Sequence, residues 1–396
     1  MTAPGFSEPT DEARAAFQGV FGGTARACGI GPGRVELLGN HTDYNGGRVL
    51  TAAIDRAVVV AGGPRAGRRA RVHSLVMGET AEFDLAQPQP HPTSTWVHYV
   101  QGVVAALRDN GADVPAFDAL VAGNLPLESG LSSSAALATA TAMFAGALCS
   151  WDAEPARLAG MLQRAENEFV GVRCGILDPF SSLAGRADAV ICLDCATLDC
   201  QWLPLGERAP VIVLCDSGTP RSLAAAAYNQ RRAECEQAAG MLADLLGRSV
   251  RHLCEVLPEE LDAVASRLPA PLDRRARHVI TENARVEVAR AALQTGQAAE
   301  LGRLMIASHA SSRADFENST DRLDRLQQAA LGVTGCLGSR LCGAGWGGST
   351  VSLVLPDAVE RFAAAIEEMW RAEEGVATPP AVLVCRASAG ARRLVF

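Results

Sequence analysis

No lysine occurs anywhere in the 396 residues; all 36 basic side chains are arginine. That absence excludes three chemistries. A P-loop nucleotide site reaches its phosphates with a lysine, a pyridoxal-phosphate enzyme builds a Schiff base on one, and the Ser-x-x-Lys pair of penicillin-binding enzymes also needs one. An all-arginine, alanine-rich chain accords with a GC-rich coding sequence, and the exclusion holds whatever its origin. A basic excess is missing too. The net charge of −8 and a pI near 5.5 leave no cationic footprint for a nucleic-acid backbone, so a small-molecule ligand is expected. The segment Met1–Thr10 has neither a basic region nor an apolar core, which predicts no secretory signal and a cytoplasmic location. The longest weakly polar stretch, 135–149, falls short of the ~20 residues that a membrane span requires and is expected to be a buried helix with no membrane role. No repeat and no low-complexity tract interrupts the chain.

What is present is an ordinary globular composition, 48% apolar and 20% charged, on a chain long enough for about two domains. Twelve cysteines raise the question of metal or disulfides. Cys192, Cys195 and Cys200 form a C-x2-C-x4-C run, but no fourth ligand stands near, and the run overlaps a strand-like Ala189–Asp194, so buried, reduced thiols are expected. The pattern predicts a helix at 10–20 and strands at 34–38, 49–54 and 57–60, the last two separated by Asp55-Arg56. Strand pairing is expected over 69–85, a helix over 96–108, a strand at 115–121, helices at 132–149 and 153–169, and a strand at 188–193. Pro204–Pro210 is a natural domain join. It is followed by a strand at 211–215, helices near 223–245, 257–266, 272–296 and 299–308, strands at 336–342, 350–355 and 381–385, and a helix at 358–371. Strands with helices on one side predict an α+β chain of two domains, 1–206 and 207–396.

Three segments carry chemistry. In the first, Asn124 to Leu137, a glycine loop leads through Ser132-Ser133-Ser134 into an alanine-rich helix. Free amides, hydroxyls and the helix dipole there suit an anion without any lysine; a serine N-cap on an ordinary helix is the alternative. In the second, Gly343-Ala344-Gly345-Trp346-Gly347-Gly348 matches G-x-G-x-x-G in form. However, a β-branched run follows it where a dinucleotide fold requires a helix, so a tight turn for close backbone approach is expected instead. The third is the polar turn around His41, Asp43 and Tyr44. It offers a hydrogen-bonding cluster suited to a polyol, or a set of turn and capping residues.

In this order and at these separations the segments resemble the three motifs of the GHMP small-molecule kinases, and specifically the galactokinase branch. The likeness runs from Pro32-Gly33-Arg34-Val35-Glu36-Leu37-Leu38-Gly39-Asn40-His41-Thr42-Asp43-Tyr44-Asn45-Gly46-Gly47 through Gly130–Ala136 to Gly343–Gly348. Between these it takes in Trp96–Gly102, Cys174–Asp178, Arg221-Ser222-Leu223 with Tyr228, Arg274–Val279 and Ser339–Leu341. The resemblance implies an N-terminal domain like ribosomal protein S5 domain 2 and a ferredoxin-like C-terminal domain. It also implies phosphoryl transfer from ATP to the anomeric hydroxyl of a hexose. By the same resemblance Asp178 is the base and Arg34 the cation that keeps it ionised, while Ser134 and Glu166 hold Mg2+. Asn40, His41, Asp43, Gly175, Asp178 and Tyr228 meet the sugar. Ser74, Trp96 and Tyr99 line the adenine pocket, and Gly130, Leu131, Ser132, Ser133, Ser134 and Ala135 hold the phosphates. The implied partners are a sugar and ATP, in a monomer or weak oligomer.

Four positions depart from the branch. Asn40 stands where glutamate is usual and helps to read the sugar's 6-hydroxyl; Glu36 replaces an asparagine, Arg221 a histidine and Pro179 a glutamine. Chemistry is expected to be intact and specificity open: D-galactose is the first expectation, and another sugar or a cyclitol the alternative. A non-catalytic sugar-binding regulator is disfavoured by the whole phosphate loop and by the presence of Arg34, Glu166 and Asp178.

Overall fold

The computed structural model describes residues 9–126, 130–172, 174–206, 209–219, 224–372 and 382–396. Arg221, Ser222 and Leu223 lie outside the described residues. Helix α1 (Thr10–Phe21) precedes strands β1 (Ala27–Leu38) and β2 (Arg48–Pro64), the hairpin β3 (Arg69–Ser74) and β4 (Glu79–Asp84), helix α2 (Val97–Asp109) and strand β5 (Phe117–Gly123). Helices α3 (Ser133–Cys149), α4 (Pro155–Ala165) and α5 (Leu177–Ala184) follow, then β6 (Ala189–Asp194) and β7 (Cys200–Pro204). The chain continues through β8 (Val211–Asp216), α6 (Ala224–Leu246), α7 (Pro258–Val264), α8 (Leu272–Gln294), α9 (Ala298–Ser311) and α10 (Asp321–Leu331). It ends with β9 (Cys336–Leu341), β10 (Ser349–Val354), α11 (Val359–Arg371), β11 (Val382–Cys385) and β12 (Arg392–Val395).

These strands make two sheets. The larger has eight strands, in the order β12-β1-β2-β5-β3-β4, with β6 and β7 branching from β2; the smaller has four, in the order β11-β8-β10-β9. Strand β8 shows the period-two logic of a sheet covered on both sides. Ile212 and Leu214 enter the core shared with the first sheet, while Val213 and Cys215 pack with Leu326 of α10 and with Phe362, Ile366 and Trp370 of α11. The last strand, β12, returns to the first sheet and pairs antiparallel with β1, Ala27 opposite Val395.

Several elements differ from the sequence pattern for identifiable reasons. Strand β1 begins at Ala27, seven residues before the alternating run, because Gly29, Pro32 and their neighbours read as a turn. The glycines are there for contact: an added Cβ at Gly29 would lie 2.0 Å from Ala140 O, and one at Gly31 2.1 Å from Ala136 O. Residues 136 and 140 are one helical turn apart on α3, so a bare strand receives an alanine-faced helix at near-backbone distance. Asp55-Arg56 does not divide β2. Register shifts in its pairing with β1 absorb the two residues, and Asp55 exchanges hydrogen bonds with Arg386, N–H to O at 3.1 Å and Oδ1 from N–H at 3.1 Å. Helix α10, β7 and β12 were not foreseen, although Thr320 caps α10 by accepting from Leu323 N–H at 3.3 Å. None of the twelve cysteines is joined in a disulfide. Among the described residues no cluster of His, Cys, Asp or Glu is able to hold a metal, and no helix is long and apolar enough to cross a membrane.

One buried side chain fixes the turn that leaves β1. Glu282 of α8 is fully buried, and its Oε1 accepts from Gly39 N–H at 2.9 Å, Asn40 N–H at 3.1 Å and the Ser308 hydroxyl at 2.7 Å. Its Oε2 accepts from Arg285 Nε at 2.8 Å. Burial works against the charge, but Arg285 and Arg340 more than offset it and hold the carboxyl far below the ordinary carboxylate range.

Two stability predictions follow from this packing. Gly29→Ala places a methyl against the α3 backbone and lowers stability by on the order of 3 kcal/mol, measured as a lower urea midpoint at unchanged slope. Glu282→Gln destabilises by about 3 kcal/mol at pH 7. Because the folded-state pKa is depressed, the wild-type advantage is present above the unfolded value of about 4.3 and shrinks as pH falls below it; a gap that stays constant from pH 7 to pH 3 would contradict the assignment.

Candidate active site

Past the register shift opposite Asp55-Arg56 of β2, Arg34 and Glu36 share one face of β1, while Val35 and Leu37 enter the core. Arg34 is the hub. Its Nε donates to Asp178 Oδ1 at 2.6 Å and its Nη1 to Gly130 O at 2.7 Å, and its backbone N–H reaches Leu131 O at 3.2 Å. Burial opposes the guanidinium's charge, but the Asp178 carboxylate beside it raises its pKa above the ordinary value. The other Asp178 oxygen accepts from the Ser132 hydroxyl. Ser132 therefore does not serve as an N-cap: it precedes α3 with φ of +55° and makes no side-chain capping bond. With Gly130 at φ +84°, it turns the chain into α3, whose first residues Ser133 and Ser134 line the cavity and whose first-turn amides have no partner within the helix.

The cavity over this hub measures about 360 Å³. Arg34, Asn40, His41, Asp43, Gly130, Leu131, Ser132, Ser133, Ser134, Glu166, Gly175, Asp178 and Tyr228 all line it, so segments far apart in sequence converge here. His41 Nδ1 lies 2.9 Å from the Tyr44 hydroxyl and Nε2 lies 3.0 Å from Ala344 O. A carbonyl only accepts, so Nε2 carries the proton and Nδ1 accepts from Tyr44. Burial lowers the pKa of this imidazole to about 3 and keeps it neutral. Asp43 is pushed up to about 7 by burial and by the neighbouring Glu36 and Asp178 carboxylates. Gly175 is where a side chain will not fit, since an added Cβ would lie 1.6 Å from Asp43 Oδ2.

Glu166 begins a π-helical turn, Glu166–Val170, that continues α4, an irregularity that aims the side chain inward. Burial, then Asp178, raises its pKa to about 7, and the Ser134 hydroxyl is near enough to oppose that rise. A second, mainly apolar cavity of about 200 Å³ adjoins the first and shares Tyr99, Ser133 and Ser134 with it. Ser74 and Trp96 line it with Val58, Met77, Val121 and Leu137, and the Trp96 indole N–H donates to Glu79. Ala135 lines neither cavity; its methyl is buried, which leaves only its backbone N–H to contribute.

Some site residues were not read from the sequence. Gly343 and Ala344 line the first cavity, and their carbonyls accept from Asn40 Nδ2 at 2.8 Å and His41 Nε2 at 3.0 Å, so the third glycine segment is bonded directly to the polar turn. Gly345 and Gly347 sit against Asn318 O and Thr219 O, where a Cβ would lie 2.2 and 2.7 Å away. The segment is thus a close-packing turn ahead of β10, as the missing helix predicted. His278 donates from Nε2 to Asn40 O at 3.2 Å, one helical turn before Glu282; that i, i+4 pairing of polar residues on a long helix was the available signal.

The comparisons with known proteins agree on the lineage. Three family models match, the galactokinase galactose-binding signature over residues 15–64, the GHMP kinases N terminal domain over 98–186 and the GHMP kinases C terminal domain over 289–372. A galactokinase from Roseiflexus sp. is 42% identical over 98% of this chain and 97% of its own length; the human galactokinase is 38% identical over 93% and 94%. The crystal structure of Lactococcus lactis galactokinase complexed with galactose superposes with a TM-score of 0.89 at 33% identity, covering 96% of this chain and 98% of that one. A Methanococcus jannaschii mevalonate kinase, 15% identical with a TM-score of 0.67, shares the fold. With the two-domain GHMP architecture, the signature around Arg34–Asp43 and identity sustained over nearly the full length, this chain belongs to the galactokinase family of GHMP kinases.

Proposed function

We propose that the protein is an ATP-dependent sugar 1-kinase that transfers the γ-phosphoryl group of ATP to the anomeric hydroxyl of a hexose, with D-galactose the first candidate. The observation that carries this reading is the placement of Asp178. Its carboxylate is held by Arg34 and Ser132 where a polar cavity meets an apolar slot across the N-terminus of α3. A sugar in the first cavity and a nucleotide base in the second bring hydroxyl and γ-phosphate together over that carboxylate. The galactose in the Lactococcus lactis crystal supports the choice of sugar.

In the step proposed, Asp178 takes the proton of the anomeric hydroxyl as the sugar oxygen bonds to the γ-phosphorus. The bond from that phosphorus to the bridging oxygen breaks, ADP leaves with the electron pair, and the products are the sugar 1-phosphate and ADP. Arg34, bonded to Asp178 Oδ1, holds the carboxylate in place and offsets charge on the transferring group. Amides of the α3 first turn and the Ser133 and Ser134 hydroxyls hold phosphate oxygens, the role a lysine has in a P-loop. Trp96 and Tyr99 face the adenine, and Asp43 and Tyr228 bond sugar hydroxyls, while His41, whose two ring nitrogens are taken up by Tyr44 and Ala344, meets the sugar with its ring. The Ser134 hydroxyl and the Glu166 carboxyl, both lining the cavity, are the hard-oxygen pair that would hold Mg2+, and the ion would supply charge neutralisation at the phosphates.

The test is sugar-dependent ADP formation across hexoses, amino sugars and inositols, with the product identified as a 1-phosphate. Galactose-dependent turnover is expected; ADP release unaffected by any sugar would refute the reading. Asp178→Asn lowers kcat at least ~10²-fold with an unchanged circular dichroism spectrum, and near-normal turnover would remove Asp178 as the base. Trp96→Ala raises the KM for ATP roughly tenfold and moves the KM for sugar little; a matching rise in both would place the indole elsewhere in the mechanism.

A further inference from the structure

Asn40 and Glu36 both line the sugar cavity, yet only one of them has bonding capacity to offer. Every polar group of Asn40 is already committed. Its Nδ2 donates to Glu36 Oε1 at 3.2 Å and Gly343 O at 2.8 Å; its Oδ1 accepts from Asn318 Nδ2 at 2.9 Å and the Ser312 hydroxyl at 3.3 Å. Its N–H donates to Glu282, and its carbonyl accepts from His278. A side-chain amide has two donors and two strong acceptor sites, so a ligand hydroxyl could bond to it only by displacing a protein partner. Glu36 is the reverse case. Oε1 is held by Arg340 Nη1 at 3.0 Å and by Asn40, whereas among the described residues no donor reaches Oε2, which is not among the buried atoms lacking a partner. The carboxylate is anchored by one oxygen and presents the other to the cavity.

Position on the strand says which part of a sugar it would meet. Arg34, which carries Asp178, and Glu36 are i, i+2 on one face of β1, roughly 7 Å apart along the strand. A single pyranose with its hydroxyls covers that span, so a ring whose anomeric hydroxyl lies on Asp178 brings a different hydroxyl to Glu36.

We infer that Glu36, oriented by Arg340 and Asn40, is the residue that selects the substrate by accepting a hydrogen bond from a non-reacting sugar hydroxyl, and that Asn40 is its scaffold. The inference rests on the sugar-kinase reading above. It assigns the specificity function to a carboxylate four residues upstream of the position that the galactokinase signature suggests.

The test is a kinetic cycle between one side chain and one hydroxyl. Wild type and Glu36→Gln are assayed with D-galactose, or the hexose the wild type turns over fastest, and with its 2-, 3-, 4- and 6-deoxy derivatives. The substitution lowers kcat/KM for the parent sugar by about 10- to 100-fold, mostly through KM. One deoxy sugar is expected to be comparably poor for the wild type and to lose less than about threefold more in the variant, because both changes delete the same bond. The other deoxy sugars lose the full factor. Parent-sugar kcat/KM within about threefold of wild type, or a full loss for every deoxy sugar, overturns the assignment of Glu36 and leaves the kinase reading standing. If the wild type phosphorylates no sugar, both fall. Thermal unfolding is recorded for each protein, and if Glu36→Gln does not fold, Glu36→Asp, which keeps a charge for Arg340 but withdraws the free oxygen from the cavity, enters the same cycle with the same outcomes.

Discussion

A guanidinium with no exposed surface, Arg340 of β9, meets the Glu36 carboxylate of β1 at 3.0 Å, and the site is organised around that contact. The pair joins strands of two different sheets. Its Nε and Nη2 find no partner among the described residues, so as a source of stability it is a poor bargain: desolvation of two charges is repaid by one ion pair and a few hydrogen bonds. What it supplies is alignment, because only one relative placement of the sheets lets the two groups meet. Asn40 bridging to Gly343, His41 to Ala344 and Glu282 to the Gly39 and Asn40 amides all lie along the same seam and require the same placement. The sugar cavity is the space left between halves so aligned.

The arrangement also shows how a lysine-free chain handles charge. Glu36, Asp43, Glu166 and Asp178 line one cavity, and burial, with neighbouring carboxylates behind it, raises Asp43 and Glu166 to about 7. Arg34 and Arg340 answer them as forked, fixed cations, each holding a specific oxygen, where ammonium groups would be mobile point charges. In the kinase reading proposed above, positive character toward the phosphates comes instead from backbone amides at the start of α3.

Most of the site was legible in the sequence because its residues sit in short contiguous motifs, where spacing and side-chain type survive as a pattern. Arg34, His41, Asp43, the Ser132–Ser134 run and Asp178 were found that way, and they line one cavity. What escaped was set by contacts between distant segments. Ser132 looked equally like a cap and an anion ligand until its hydroxyl was seen to bond Asp178, 46 residues away. Asn40 looked like a sugar ligand because nothing local reveals that Ser312, Asn318 and Gly343 use up its amide. In the fold, helices with strong apolar periodicity were evident, whereas β1 was half hidden because the glycines that let α3 approach are the residues that mark turns elsewhere. The short β12, Arg392-Arg393-Leu394-Val395, gives no alternation to detect.

That last strand has a consequence for biosynthesis. Residues 392–395 pair with Ala27–Ile30 of β1, the strand that carries Arg34 and Glu36, so that edge stays open until roughly 360 further residues have been made. At ribosomal speeds of about 5–20 residues per second, some tens of seconds separate the appearance of β1 from that of its final neighbour. For that interval the nascent chain displays an unpaired, glycine-rich ribbon with free amides and carbonyls, the kind of template on which chains pair with one another. Shielding by chaperones or slow initiation on crowded messages would therefore matter more for the soluble yield of this enzyme than for a protein whose catalytic strand lies at the middle of its sheet from the outset.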